Sequence, residues 1–112
     1  MKFISTLILF IVFNMTAKSE IITSDVEYKI GDVTLQGYAA YDNSNPGKRP
    51  GVMIVHQWKG LTDYEKMRAK QLAELGYFAF AVDIYGKGVR PATSQEAGQL
   101  AGKYSGDLFY RR

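Results

Sequence analysis

The residues whose types and spacing best suit chemistry are His56-Gln57-Trp58-Lys59-Gly60, which follow the apolar run Gly51–Val55 and precede a capped helix. Open α/β sheets place their ligands at the carboxyl ends of their strands, and a loop in that position can hold a reacting carbonyl oxygen. His56 is the single histidine. A lone histidine after a buried strand reads as a hydrogen-bonded structural residue before it reads as a base. Asp83 ends a second apolar run, where a carboxylate can be catalytic or can cap the next turn; with no base or nucleophile near it in sequence, capping is the expectation, and Tyr85 reads in the same way. Gly86-Lys87-Gly88 lacks the G-x-x-x-x-G-K-[ST] spacing of a phosphate loop and reads as a turn. Ser105, in Gly102-Lys103-Tyr104-Ser105-Gly106, lies outside any G-x-S-x-G pattern and follows a helix instead of a strand, so it is a poor nucleophile.

The elements that must position these residues follow from hydrophobic pattern. Gly51–Val55 and Tyr77–Val82 are short continuous apolar runs, as expected of strands buried on both faces of a parallel sheet. Between them Thr62 and Glu65 form a T-x-x-E capping box. The spacing of Tyr64, Met67, Leu72 and Leu75 predicts one buried helix face, with Gly76 able to end the helix. Together these make a βαβ unit. Upstream, the alternating runs Ile22–Ile30 and Val33–Tyr41 meet at Gly31-Asp32, a two-residue hairpin signal that opens the sheet antiparallel. The cluster Asp42-Asn43-Ser44-Asn45-Pro46-Gly47 is a loop between hairpin and βαβ unit. Thr93 and Glu96 form a second capping box ahead of Ala97, Leu100, Ala101 and Tyr104. That helix contains Gly98 and Gly102, each costing about 1 kcal/mol relative to alanine, so it is marginal unless something packs on it.

Phe3–Met15 is an apolar stretch of about 13 residues behind Lys2, shorter than the roughly 20 needed to cross a bilayer, and Ala17-Lys18-Ser19 resembles a cleavage site. Residues 1–19 therefore read as a signal peptide, with residues 20–112 exported to a periplasmic or extracellular location and membrane association limited to the uncleaved segment. The chain carries 14 Lys and Arg against 11 Asp and Glu. Without residues 1–19, which contain Lys2 and Lys18, 12 basic and 11 acidic residues remain. Near-neutral charge with no basic stripe gives no footprint for nucleic acid. With no cysteine, disulfides, zinc fingers and a thiol nucleophile are excluded within these residues. No G-x-G-x-x-G follows either buried strand, which weakens a nucleotide-binding reading. No cofactor and no metal are expected.

The strand-end H-Q-W-K-G, the phrase A-E-L-G-Y-F-A-F-A-V-D-I-Y-G-K-G and the later R-P-x-x-x-x-E-A-G-x-L-A-G together resemble the dienelactone hydrolase family of α/β-hydrolases, over about residues 25–112. The resemblance implies a mostly parallel sheet with helices on both faces and hydrolysis of a small ester or lactone by nucleophilic acyl transfer. It implies that Trp58 supplies a backbone N–H to the oxyanion hole, and that Gln57 stands where the family usually has glutamate. An amide cannot take a proton from a thiol as a carboxylate can, which bears on activation of a cysteine nucleophile. In the family the nucleophile, usually a cysteine in a G-x-C-x-G elbow, an acid and a histidine come later in the chain than these residues. By that pattern the sequence reads as an amino-terminal fragment, truncated before the nucleophile strand and inactive alone. The family's triad order also places the base after the nucleophile, which again leaves His56 structural.

The resemblance further implies the strand order. The second hairpin strand neighbours Tyr77–Val82, which neighbours Gly51–Val55, leaving the latter as an exposed apolar edge. Such an edge is a template for pairing with another chain. Self-association through it, or a non-catalytic exported interaction module that pairs by its sheet edge, is the competing expectation.

Overall fold

The computed structural model describes residues 20–44 and 47–106, so the leader expected over residues 1–19 and Asn45-Pro46 of the turn cluster lie outside the described residues. The elements run β1 (Ile21–Ile30), β2 (Val33–Asp42), β3 (Gly51–Val55), α1 (Asp63–Glu74), β4 (Phe78–Val82) and α2 (Ser94–Ser105). Four strands form one mixed sheet of order β1-β2-β4-β3. β1 and β2 pair antiparallel from Ile21↔Asp42 to Ile30↔Val33, so the two residues between them, Gly31 and Asp32, make the whole turn. Gly31 has φ +59° and Asp32 does not have a positive φ. This is the pattern of a type II′ turn, whose twist matches that of the flanking strands.

β4 is the hinge of the sheet. It pairs antiparallel with β2 through Tyr38↔Ala81 and Ala40↔Ala79, and parallel with β3 from Gly51↔Phe78 to Val55↔Val82. The expected βαβ unit is therefore β3-α1-β4, and the carboxyl ends of both parallel strands open at the same edge.

α1 begins as the T-x-x-E pattern requires, with the Glu65 carboxylate accepting from the Thr62 backbone N–H at 2.8 Å and from its hydroxyl at 2.7 Å. Burial pushes the Glu65 carboxyl up, but these hydrogen bonds outweigh it and hold the group below its ordinary value. The helix ends in a Schellman arrangement: Gly76 N–H donates to Ala73 O at 3.0 Å and Tyr77 N–H to Leu72 O at 3.1 Å.

The buried face of α1 differs from the expected one. Tyr64, Met67 and Leu75 are exposed, while Glu65, Ala69 and Ala73 are buried and Leu72 packs beside them. The reason is the floor beneath the helix, which is Ala40, Ala79 and Ala81 with Leu61 and Tyr38. Small side chains on both sides let helix and sheet approach closely, a gap that large residues could not enter without forcing the two apart. Tyr64 instead stays on the surface, accepting from Arg68 Nε at 3.1 Å with the guanidinium 5.2 Å from its ring.

α1 covers one face of the sheet. The other face carries Met53, Val55, Phe78, Phe80 and Val82, with Met53 68% and Val55 60% exposed. Among the described residues β3 has a strand on one side only, so the expected strand order and exposed edge are both present. α2 packs against no other helix or strand among the described residues. It is anchored instead to the loop after β4: Ala97 is fully buried, and Tyr104 stacks on Tyr85 with ring centroids 5.6 Å apart.

Candidate functional site

The chain that leaves β3 turns at once. Gly60 N–H donates to Gln57 O at 3.0 Å, closing a β-turn with Trp58 and Lys59 at its centre, and Gly60 takes φ +87°, open only to glycine at low cost. His56 is 8% exposed and both its ring nitrogens are engaged. Nε2 accepts from Ile84 N–H at 3.1 Å, which places the ring proton on Nδ1, where it meets Gln57 O at 2.6 Å. The imidazole thus ties the loop after β3 to the loop after β4. It is the structural residue expected, and it has no free nitrogen with which to act as a base.

These bonds orient one peptide unit. Gln57 C=O and Trp58 N–H belong to the same trans peptide and point in opposite directions. Because His56 and Gly60 both donate to the carbonyl, the N–H is turned away from them and polarised as a donor. Among the described residues no acceptor meets it. The next peptide is pinned as well, since the Tyr85 hydroxyl donates to Trp58 O at 2.8 Å. Tyr85 is therefore more than the turn residue expected: its ring lies edge-on to His56, centroids 4.8 Å apart, and burial pushes its hydroxyl above the ordinary value, so it keeps the proton it donates.

Asp83 caps the turn after β4, as expected, accepting from Tyr85 N–H at 3.1 Å and Gly86 N–H at 3.2 Å on Oδ1. Its Oδ2 also accepts from Gln36 N–H of β2 at 3.0 Å. Arg90 NH1 stands 3.8 Å from Oδ1. The Tyr28 hydroxyl, 55 residues away in sequence, donates to Asp83 O at 2.7 Å and accepts from Asp83 N–H at 2.8 Å, continuing the sheet's pairing where the strands have ended. Burial, with the nearby Asp83 charge, pushes this hydroxyl up against the lowering effect of the backbone bond. No local pattern in the sequence marks Tyr28 for this role.

Between these loops lies a cavity of about 420 Å³, walled by Tyr28, His56, Trp58, Val82, Tyr85 and Tyr104 among others, within the range of small-molecule sites. Gln57 is exposed at its rim. Ser105 lies at the far wall, its hydroxyl donating to Gly102 O at 3.2 Å, away from His56. Among the described residues no group of three or more acidic, histidine or cysteine side chains could hold a metal ion.

The pinned loop after one parallel strand thus borders a cavity that the loop after the next strand also lines. The family model described as the dienelactone hydrolase family matches residues 35–107, well over half the chain. The chain belongs to the dienelactone hydrolase family. Two solved structures are similar to it. One, m3DLH, superposes with a TM-score of 0.73 at 30% identity over 78% of this chain and 36% of its own. The other, a dienelactone hydrolase-like promiscuous phosphotriesterase, P91, from metagenomic libraries, superposes with a TM-score of 0.73 at 30% identity over 81% of this chain and 38% of its own. A protein of Escherichia coli K12 named "Putative hydrolase fragment YghX" is 36% identical over 53 residues, 47% of this chain and 45% of that protein. The match thus spans less than half the length of each of these relatives. The α/β fold is that of the dienelactone hydrolases over the part they share.

Proposed function

We propose that this chain supplies the oxyanion-binding part of a dienelactone-hydrolase-like enzyme that cleaves small ester or lactone bonds by nucleophilic acyl transfer. The observation that carries the reading is the Trp58 N–H, unpaired among the described residues and held by bonds to both adjoining carbonyls. A nucleophile attacking the substrate carbonyl carbon moves the π electrons onto oxygen. The Trp58 N–H donates to that oxygen as its charge develops, and the bond strengthens in the transition state. Collapse of the tetrahedral species returns the electrons and expels the alkoxide. Gln57 offers an amide at the rim, able to donate or accept a hydrogen bond but not to take a proton from the nucleophile.

In this reading residues 1–112 do not provide the nucleophile, acid or base. There is no cysteine, the single histidine has both nitrogens engaged, and Ser105 faces its own helix. The chain alone is therefore expected to show no turnover of 4-nitrophenyl acetate above that of an inert protein. Mixing it with the carboxyl-terminal remainder of a dienelactone hydrolase, which carries the elbow, is the test. Hydrolysis that requires both pieces supports the reading; turnover by the chain alone, lost in Ser105→Ala or His56→Ala, would mean that the machinery lies within it.

A second reading, an interaction module that pairs through β3, is favoured by the exposure of Met53 and Val55 on a one-sided edge strand. Edge strands without charge or proline template association. The chain is expected to sediment as an oligomer, and Met53→Lys to shift it toward smaller species. A monodisperse wild-type monomer would remove this reading.

A further inference from the structure

Resting on the acyl-transfer reading above, we propose that the cavity selects neutral esters or lactones that carry an aromatic ring, and rejects substrates bearing a carboxylate near the reacting carbonyl. Four aromatic rings, those of Tyr28, Trp58, Tyr85 and Tyr104, stand around the opening, with Ile30, Val82 and Ile84 beside them. Its polar side chains have their hydrogen bonds directed into the protein. The Tyr28 hydroxyl both donates to and accepts from Asp83. The Tyr85 hydroxyl is given to Trp58 O and the Tyr104 hydroxyl to Tyr85 O. His56 is spent on Gln57 O and Ile84 N–H, and the Asp83 oxygens on three backbone N–H groups.

What remains toward a ligand is ring surface, an exposed amide at Gln57 and the Trp58 N–H. Among the described residues no lysine or arginine lines the cavity. The cations beside the wall are engaged outside it: Arg90 gives its NH1 to Val89 O at 2.7 Å and Gly86 O at 3.3 Å, and the Lys103 ammonium lies 5.1 Å from the Tyr104 ring centroid. A carboxylate entering would lose water with no cation in the cavity wall to pair with, and Asp83 there is buried and already has Arg90 3.8 Å away. A planar neutral ring loses little on desolvation and gains contact with the half-exposed Trp58 indole and with the parts of the Tyr28 and Tyr104 rings left open, Tyr85 being buried behind them.

Trp58 is the only tryptophan, so its emission in the full chain reports occupancy of this cavity directly. Four probes separate the claims: methyl benzoate, benzamide, benzoate, and methyl cyclohexanecarboxylate. Benzamide matches benzoate in shape but is neutral. The expected result is that methyl benzoate and benzamide saturate the emission change at concentrations roughly tenfold below benzoate. Methyl cyclohexanecarboxylate should bind about two- to tenfold more weakly than methyl benzoate. Benzoate binding as tightly as benzamide overturns the proposal, and so does an emission that none of the four probes moves. Equal binding of the saturated and aromatic esters overturns its aromatic part. The Trp58 backbone amide, followed by 15N-resolved NMR in the same titration, reads the acyl-transfer site separately. Emission that responds to methyl benzoate while the amide stays unmoved would remove the oxyanion role and leave the ligand class intact.

Discussion

Replacing Trp58 by proline is expected to lower kcat of the complemented hydrolase by about 10²–10³-fold, the usual cost of deleting one oxyanion donor, or roughly 2.7–4 kcal/mol. The substitution suits the site for a geometric reason. Trp58 occupies the second position of the turn closed by Gly60 N–H to Gln57 O. Proline is favoured at that position because its ring presets φ, and it removes the N–H while leaving the turn closed. Trp58→Ala keeps the N–H and deletes the indole, so the two variants separate backbone from side chain. The expected pattern is a large fall in kcat with a small change in KM for proline, and a modest change concentrated in KM for alanine, because the donor acts in the transition state and the indole in binding. Equal losses in the two variants would place the effect in the indole. No loss in the proline variant would show that Trp58 N–H does not meet the oxyanion.

Asp83→Ala is expected to destabilise the fold by about 3–5 kcal/mol, measured by urea unfolding. The Asp83 side chain is fully buried and accepts from Gln36, Tyr85 and Gly86 N–H, with Arg90 beside it. Alanine leaves three backbone donors without an acceptor, and each buried, unsatisfied donor costs about 1–3 kcal/mol when it cannot relax to water. Domains of this size have only about 5–15 kcal/mol in total, so the loss is a large fraction. Tyr28→Phe is the graded comparison, since it removes a hydroxyl that bridges Asp83 N–H and O. A loss below about 1 kcal/mol for Asp83→Ala would mean that water or a shifted Arg90 satisfies the donors in its place.

These two substitutions also mark what the sequence could and could not reveal. The hairpin turn, both caps and the loop after β3 were legible because each rests on local chemistry, whereas the strand order followed from the family resemblance. A glycine at a two-residue turn, Thr and Glu three apart, and an apolar run ending in polar residues each restrict a few adjacent dihedrals whatever surrounds them. The buried face of α1 was not legible. Pattern weighs residues by hydrophobicity, which favours Tyr64, Met67 and Leu75, whereas the sheet beneath is floored by Ala40, Ala79 and Ala81 and admits Ala69 and Ala73.

The site divides in the same way. H-Q-W-K-G at a strand end located the loop, and the absence of cysteine together with a single histidine bounded the chemistry that residues 1–112 can perform. The sequence by itself determined the elements, the turn that exposes Trp58 and the family to which the chain belongs. Only the tertiary structure decided that His56 and Tyr85 hold the carbonyls on either side of the Trp58 N–H, that Tyr28 and Gln36 fix Asp83, and that the Tyr28, Tyr85 and Tyr104 hydroxyls are bonded to backbone carbonyls. The bonds from Tyr85 to Trp58 O, from Ile84 to His56, from Gln36 to Asp83 and from Tyr28 to Asp83 join residues 27 to 55 positions apart. Hydrogen bonds over such separations depend on the register of β2 against β4 and on the crossover through α1, which no local pattern encodes.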